Sequence, residues 1–265
     1  MTGMVGYYFD DAIPHFERST GYSLTSQETI AKIFEEHQPK YVIHMAAMTD
    51  VRAAESNPND CFLINTIATY WIAFYSRKYK SKLVFISTVD IYNGQQKEPY
   101  DNDEVPDPIV VYGHSKLAAE AIIQKLTPDA LILRCGWMFG GIGRDKKFIS
   151  YIMKFIREGQ AVHAVNDVLG TPTYAKHLVN AIPLLLNEKG VLNICSLNKC
   201  TRFDQAKLVC ELMGYYEAKA VSSGAFPNYR TLKNACMKPT ARVPYIAWEA
   251  ALTDYINDWR AHEKI

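Results

Sequence analysis

Short apolar runs alternate along the chain with segments in which apolar residues recur at helical spacing. Four runs are typical of buried strands: YVIHMAA (41–47), KLVFIS (82–87), ALILRC (130–135) and VLNICS (191–196). A shorter strand is predicted near 161–165, and the helical spacing predicts helices near 25–38, 59–80, 111–126, 146–158, 174–187, 202–213 and 246–260. Such alternation indicates βαβ units around a parallel sheet, so we predict an α/β fold.

Local signals refine two parts of this pattern. Thr25 and Glu28 have the spacing of a capping box, which predicts the start of the first helix. The stretch 93–110 holds three prolines and five acidic residues, which predicts a surface loop.

Composition excludes several classes of protein. The 29 Lys+Arg and 28 Asp+Glu residues leave a net charge of +1, which predicts no nucleic-acid or membrane partner. No apolar run reaches the ~18 residues that a spanning helix needs, and the N-terminus has no signal-peptide pattern, so we expect a cytoplasmic protein. The six scattered cysteines predict buried, reduced thiols, and the histidine spacing predicts no metal site.

A tyrosine and a lysine four residues apart form the first candidate for chemistry. On a helix, Tyr112 and Lys116 share a face. A free phenol has a pKa of about 10, which a nearby ammonium lowers. Such a pair could protonate a carbonyl oxygen as hydride reaches the carbonyl carbon.

Spacing alone does not select this pair, because the chain also contains Tyr215/Lys219 and Tyr229/Lys233. Only Tyr112 follows a predicted strand that ends in hydroxyl side chains, at Ser87 and Thr88. Ligands of open α/β sheets bind beyond the carboxyl ends of the strands. Thr88 is therefore placed to orient a substrate carbonyl near the Tyr112 phenol.

Five ordered segments carry a resemblance to a known family: VIHMAAMTDVRAAES (42–56), Ser87-Thr88 with VYGHSKLAAE (111–120), LRCGWMFG (133–140), GTPTYAKHLVNAI (170–182) and the C-terminal NYRTLKNACM (228–237) with AWEAALTDYI (247–256). Together they resemble the extended short-chain dehydrogenase/reductases, and among these the dTDP-4-dehydrorhamnose reductase group. The resemblance covers roughly residues 25–260.

The resemblance implies a Rossmann-like, doubly wound parallel sheet with a smaller C-terminal substrate lobe. Residues 1–160 would form the NAD(P)-binding domain, and 161–265 a mixed segment with part of the lobe and helices that return to the main domain. The activity implied is NAD(P)H-dependent reduction of a 4-keto-6-deoxy nucleotide sugar, as in dTDP-rhamnose biosynthesis. Relatives often form dimers, which leaves a homodimer open.

Residue roles also follow from the resemblance. Tyr112 would be the proton donor, Lys116 its pKa partner and ribose anchor, and Thr88 the hydroxyl that orients the carbonyl. Val89 and Trp137 would adjoin the sugar with Thr88. The NADP or NAD cofactor would contact Tyr112, Lys116 and a further set of residues: Gly3, Gly6, Arg18, Ala46, Ala47, Met48 and Asn65.

The chain departs from the family pattern in three places. The strand that should precede the glycine turn is not seen, and Gly3 and Gly6 match only the end of the glycine motif. The reductase group usually has Asp-Tyr after Ser-Thr, whereas this chain has Val89-Asp90. His44 replaces a small polar residue and is expected to be a hydrogen-bonded core histidine.

Two other functions remain open at this stage. The same Tyr/Lys pair serves nucleotide-sugar epimerases and dehydratases, which keep a tightly held NAD. The regulatory beta subunit of methionine adenosyltransferase resembles the same reductases, so a non-catalytic binding subunit also fits.

Overall fold

The fold is that of a computed structural model, which describes residues 3–9, 14, 16, 22–144, 147–225, 232–240 and 242–263. The strands of this part are β1 (Tyr41–His44), β2 (Lys82–Thr88), β3 (Leu131–Cys135), β4 (Met138–Phe139), β5 (Val162–Val165), β6 (Leu169–Gly170), β7 (Thr173–Tyr174), β8 (Gly190–Ile194), β9 (Cys200–Thr201), β10 (Ala218–Val221) and β11 (Asn234–Ala235). The α-helices are α1 (Gln27–His37), α2 (Val51–Ser56), α3 (Pro58–Phe62), α4 (Ala68–Tyr79), α5 (Val111–Leu126), α6 (Phe148–Arg157), α7 (Ala175–Leu185), α8 (Arg202–Leu212) and α9 (Trp248–Glu263).

The main sheet has the strand order β1-β2-β3-β8, and every pair in it is parallel. Side chains alternate between its two faces, as strand geometry requires. Leu83 and Phe85 pack with α1, α4 and α5, whereas Val84 and Ile86 pack with α7 on the opposite face. Helices therefore cover both faces of the sheet, which confirms the predicted doubly wound α/β fold.

A second core forms the smaller lobe. Apolar residues of α6, α8 and α9 pack there with those of β4, β5 and β7. Helix α7 and strand β8 return to the main sheet, where β8 pairs with β3. Helix α6 packs in this second core although it precedes residue 160, and the division at 160 stays a prediction.

Two local predictions were wrong in detail. The first helix is capped by Ser26, whose side chain accepts a hydrogen bond from the Thr29 amide, so Thr25 and Glu28 do not form its capping box. The helix predicted over 59–80 is three segments: α3, a π-helical turn at Leu63–Ile67, and α4. Helix α2 also precedes it, capped by Asp50.

The edge of the sheet at β1 adjoins a large cleft. In the described part of the chain, β1 pairs with β2 alone, and Tyr41–His44 line the cleft. Residues Gly3–Phe9 form a turn and one 3-10 turn (Gly6–Tyr8) that lies against α7. The predicted cofactor residue Arg18 lies outside the described residues.

Candidate functional site

The carboxyl ends of the main strands meet at one cavity of about 2450 Å³. Its lining includes Ala46 and Ala47 after β1, Thr88 at the end of β2, and Gly136 and Trp137 after β3. This is the place at which open parallel sheets bind ligands, and the volume exceeds the roughly 300–1,000 Å³ of a pocket for one small molecule. The cavity also runs along the open edge of β1 and beside α1, so its volume is not that of the strand ends alone.

Helix α5 carries Tyr112 and Lys116 into this cavity. The two side chains line it together, and both are buried, 8% and 2% exposed. The helix begins where the Glu55 carboxylate accepts a hydrogen bond from the Val111 amide, at 2.7 Å. Gly113 lets the helix approach the strand end, because a Cβ at this position would overlap the carbonyl oxygen of Asp90.

Thr88, Asp90 and Tyr112 form a hydrogen-bonded group. The Thr88 hydroxyl donates to Asp90 Oδ2 at 2.8 Å and accepts from the Asp90 amide at 3.2 Å. The Thr88 side chain is also a hydrogen-bond partner of the Tyr112 phenol. Since Thr88 has one hydroxyl proton and gives it to Asp90, the phenol is the donor in its bond to Thr88.

The structure corrects the expected effect of Lys116 on Tyr112. Burial raises the pKa of the phenol and the nearby Asp90 carboxylate raises it further, whereas the hydrogen bond with Thr88 lowers it. Lys116 does not offset these effects, because its ammonium donates to the Ile86 carbonyl at 2.8 Å and lies 3.8 Å from the Phe85 ring centroid. Burial lowers the pKa of Lys116 to about 7, although the charge of Glu120 opposes this shift.

A buried ion pair braces the strand that ends at Thr88. Arg134 on β3 donates to Glu120 on α5 from Nε at 3.1 Å and from Nη2 at 2.7 Å. Ser87 on β2 donates to the same carboxylate at 2.5 Å. Glu120 follows Lys116 by one helical turn, so the bridge ties α5 to both strands directly behind the site. The sequence analysis did not identify Glu120, because no local spacing links it to Arg134.

Asn65 holds the segment that follows β1. Its side chain accepts from the Met48 amide at 2.8 Å and donates to the Met48 carbonyl at 3.1 Å. The same amide nitrogen donates to Ser115 Oγ at 2.9 Å, on the face of α5 between Tyr112 and Lys116. Asn65 lies in the π-helical turn, a feature common at functional sites.

The opposite wall combines an indole ring with cations. Trp137 has φ of +43°, in the left-handed region, and its ring lies against Gly170, where a Cβ would come within 2.5 Å of Cε2. The Arg202 guanidinium is 3.9 Å from the Trp137 ring centroid. Lys147 and Arg144 line the same cavity. Arg202 and Lys147 follow no motif and were missed at the sequence level.

The remaining predicted positions are distributed as follows. Gly3 and Gly6 line the cavity, whereas Val89 is 2% exposed and packs in a core with Ile91 and Tyr92 behind it. His44 is buried and hydrogen-bonded to Thr69 at 2.8 Å, as expected, and burial lowers its pKa to about 3. All six cysteines are buried and unpaired, also as expected.

Among the described residues, no group of three or more His, Cys, Asp or Glu side chains could hold a metal ion. No helix in the same ranges is long and apolar enough to cross a membrane.

Comparison with known proteins identifies similar chains. The family model described as RmlD substrate binding domain matches residues 12–261. The Bacillus subtilis spore coat polysaccharide biosynthesis protein SpsK is 29% identical over 244 residues, covering 89% of this chain and 85% of SpsK. A Mycobacterium tuberculosis dTDP-4-dehydrorhamnose reductase is 30% identical over 236 residues, covering 83% of this chain and 73% of that enzyme.

The same fold occurs in a solved structure. The Bacillus anthracis dTDP-4-dehydrorhamnose reductase in complex with NADP superposes with a TM-score of 0.91 at 24% identity, covering 97% of this chain and 96% of that one. These comparisons confirm the predicted resemblance, the Rossmann-like fold and the assignment to a family of reductases.

Proposed function

The chain belongs to the RmlD substrate-binding domain family, and on that premise we propose that it is an NAD(P)H-dependent reductase of a 4-keto-6-deoxy nucleotide sugar. One observation carries the proposal: Thr88, Tyr112 and Lys116 converge on a single cavity at the carboxyl ends of the strands. The relatives named as dTDP-4-dehydrorhamnose reductases support the substrate class, and the NADP complex of the Bacillus anthracis enzyme supports the cofactor.

The residues present fit a dinucleotide. Small side chains at Ala46 and Ala47 leave the wall of the cavity open beside β1, and Gly3 and Gly6 line the same wall. Lys116 presents a buried ammonium within this part of the cavity, where it would anchor a ribose hydroxyl. The reduced nicotinamide, when bound, supplies the hydride.

The chain's own residues then position and protonate the ketone. Tyr112 donates its phenolic proton to the ketone oxygen as negative charge develops there. Thr88 would hold the oxygen within reach of the phenol by turning its hydroxyl proton from Asp90 to the ketone. A protonated Lys116, one helical turn from Tyr112 on α5, would stabilise the phenolate that results.

The cations on the opposite wall suit the other end of the substrate. Arg202 and Lys147 bring positive charge to the cavity, and a nucleotide sugar carries a diphosphate that pairs with such groups. The Trp137 indole, packed against Gly170 and stacked on Arg202, would hold the guanidinium at this end of the cavity. This arrangement would place the sugar between the cations and the Tyr112 phenol.

The proposal is tested with Tyr112→Phe in the full chain. We expect loss of NADPH oxidation with a dTDP-4-keto-6-deoxy sugar, by about 10²–10⁴-fold, with cofactor binding by calorimetry largely unchanged. Tyr215→Phe is the matched control, since Tyr215 also precedes a lysine by four residues but donates to the Gln160 carbonyl in the other lobe. Equal turnover in both variants would remove Tyr112 as proton donor.

A second measurement addresses the cofactor. Titration of the purified chain with NADPH and with NADH by calorimetry should show micromolar binding of at least one of them. A folded sample that binds neither would contradict the reductase proposal and favour a non-catalytic binding subunit.

A further inference from the structure

The Tyr112 phenol must regain a proton after each turnover. It is buried, and the ligands it serves would fill the cavity in front of it. Lys116 directs its ammonium to the Ile86 carbonyl. The phenol's own side-chain hydrogen-bond partner is Thr88, so one route away from the phenol runs through the Thr88 hydroxyl.

That route ends at a carboxyl group. Thr88 donates to Asp90 Oδ2 at 2.8 Å, and the Asp90 amide in turn donates to the Thr88 hydroxyl at 3.2 Å, which fixes the two residues relative to each other. Asp90 lies in the short 3-10 turn Val89–Ile91 and lines the cavity, so it can exchange protons with water once the product has left. Gly113 brings the turn and α5 into contact, which keeps the three groups together.

We propose that Asp90 supplies, through the Thr88 hydroxyl, the proton that restores the Tyr112 phenol; the proposal rests on the proposed reductase function. The Tyr112 phenolate takes the hydroxyl proton of Thr88, and Thr88 takes the proton of the Asp90 carboxylic acid. One proton moves across each of two hydrogen bonds, Thr88 is unchanged, and Asp90 is left ionised. Solvent that enters the cavity as the product leaves then returns a proton to Asp90.

The surroundings of Asp90 suit this role. Burial raises the pKa of its carboxyl group, whereas Thr88, Lys147 and Arg202 lower it. The group thus faces the Tyr112 phenol on α5 and two cations from the smaller lobe. The raised pKa keeps the protonated form accessible closer to neutral pH than for an exposed aspartate, which a proton donor requires.

The test separates the first turnover from later ones. Asp90→Asn keeps the shape of the side chain but carries no acidic proton. With wild type and variant saturated with NADPH and a dTDP-4-keto-6-deoxy sugar, we expect the same burst of one NADPH oxidised per site, followed in the variant by a steady state slower by about tenfold or more. Formate or acetate buffer should raise the steady-state rate of the variant towards that of wild type, because a small acid can enter the cavity beside residue 90.

The control is Asp129→Asn, which should change neither phase. Asp129 is exposed and lies just before β3, at the end of the sheet opposite to the site. A merely structural role for Asp90 would slow the burst as much as the steady state, without rescue by small acids, and would refute the relay. A wild-type steady state in Asp90→Asn would refute it as well. If the wild-type chain oxidises no NADPH with such ketones, the reductase proposal fails first and the relay fails with it.

Discussion

Removing Glu120 should destabilise the protein more than any exposed charge does. Its carboxylate is 1% exposed and accepts three hydrogen bonds, two from Arg134 and one from Ser87. Among the described residues, Glu120→Ala leaves the Arg134 guanidinium, itself 4% exposed, with the Tyr92 hydroxyl and the Asn102 carbonyl as its hydrogen-bond partners. Breaking a buried ion pair by deleting one member costs about 3–5 kcal/mol.

The assay is urea-induced unfolding followed by circular dichroism, with Glu211→Ala as the matched control. Glu211 also lies on a helix and pairs with Lys207 at 3.8 Å, but its side chain is 50% exposed. Both substitutions replace a helical glutamate by alanine, so they differ in the burial of the ion pair rather than in helix propensity. An exposed pair contributes about 0–1 kcal/mol to the free energy of unfolding. A free energy of unfolding for Glu120→Ala within about 1 kcal/mol of the control would refute the reasoning.

The double variant Glu120→Ala/Arg134→Met separates pairing from packing. If the unpaired guanidinium causes the loss, replacing Arg134 by an apolar side chain should recover part of the stability lost in Glu120→Ala. The coupling energy of the cycle should then be about 0.5–3 kcal/mol and favourable to the pair. Strict additivity would show that the two residues act independently.

Two further predictions concern the cavity itself. Burial lowers the pKa of Lys116 from 10.5 to about 7. Below about pH 7 the buried ammonium therefore lowers the free energy of unfolding by its full amount, and this destabilisation disappears as the pH rises to 10.5. Lys116→Met should therefore be more stable than wild type in urea at low pH, by at most about 5 kcal/mol, with a difference that shrinks towards pH 10.5; a difference independent of pH would contradict this. Gly170→Ala should displace the Trp137 indole from Arg202 and raise KM for the nucleotide sugar more than it lowers kcat. The control Gly224→Ala should change neither constant, because its position is exposed and the atom nearest to the added Cβ is the Ser222 hydroxyl at 3.7 Å.

The sequence predicts the main strands and helices well because each has a strong local signal. Helix α5 was expected over 111–126 and spans Val111–Leu126. The helix expected over 59–80 was harder, because its apolar spacing continues through the π-helical turn at Leu63–Ile67. A π turn adds one residue to a helical turn without changing the composition, so no periodic pattern reveals it.

The small strands of the second lobe were largely missed for a different reason. Strands β4, β6, β7, β9 and β11 have two residues each, too few for any alternation to appear in the sequence. Their pairing depends on contacts between distant segments, such as β6 with both β9 and β11. A capping box at Thr201 and Asp204 starts α8, a helix that was predicted from its apolar spacing alone.

Within the site, residue identity was more predictable than residue environment. Tyr112, Lys116 and Thr88 were selected from sequence context and line one cavity. The direction of the Tyr112 pKa shift was wrong, because it depends on where the Lys116 ammonium points and on Asp90, which lies 22 residues earlier in the chain. Spacing on a helix predicts a shared face, but it does not predict which acceptor a flexible lysine chooses.

Helix α5 determines how precisely the site is assembled. Tyr112, Lys116 and Glu120 follow one another at intervals of one turn, and Ser115 lies between the first two. The Glu120 carboxylate fixes the helix to β2 and β3, and Ser115 fixes it through Asn65 to the segment after β1. A shift of this helix would move the phenol and the ammonium together relative to Thr88, which stays with its strand. A substitution behind the site should therefore lower kcat by changing the distance from Tyr112 to Thr88, even where every residue that lines the cavity is intact.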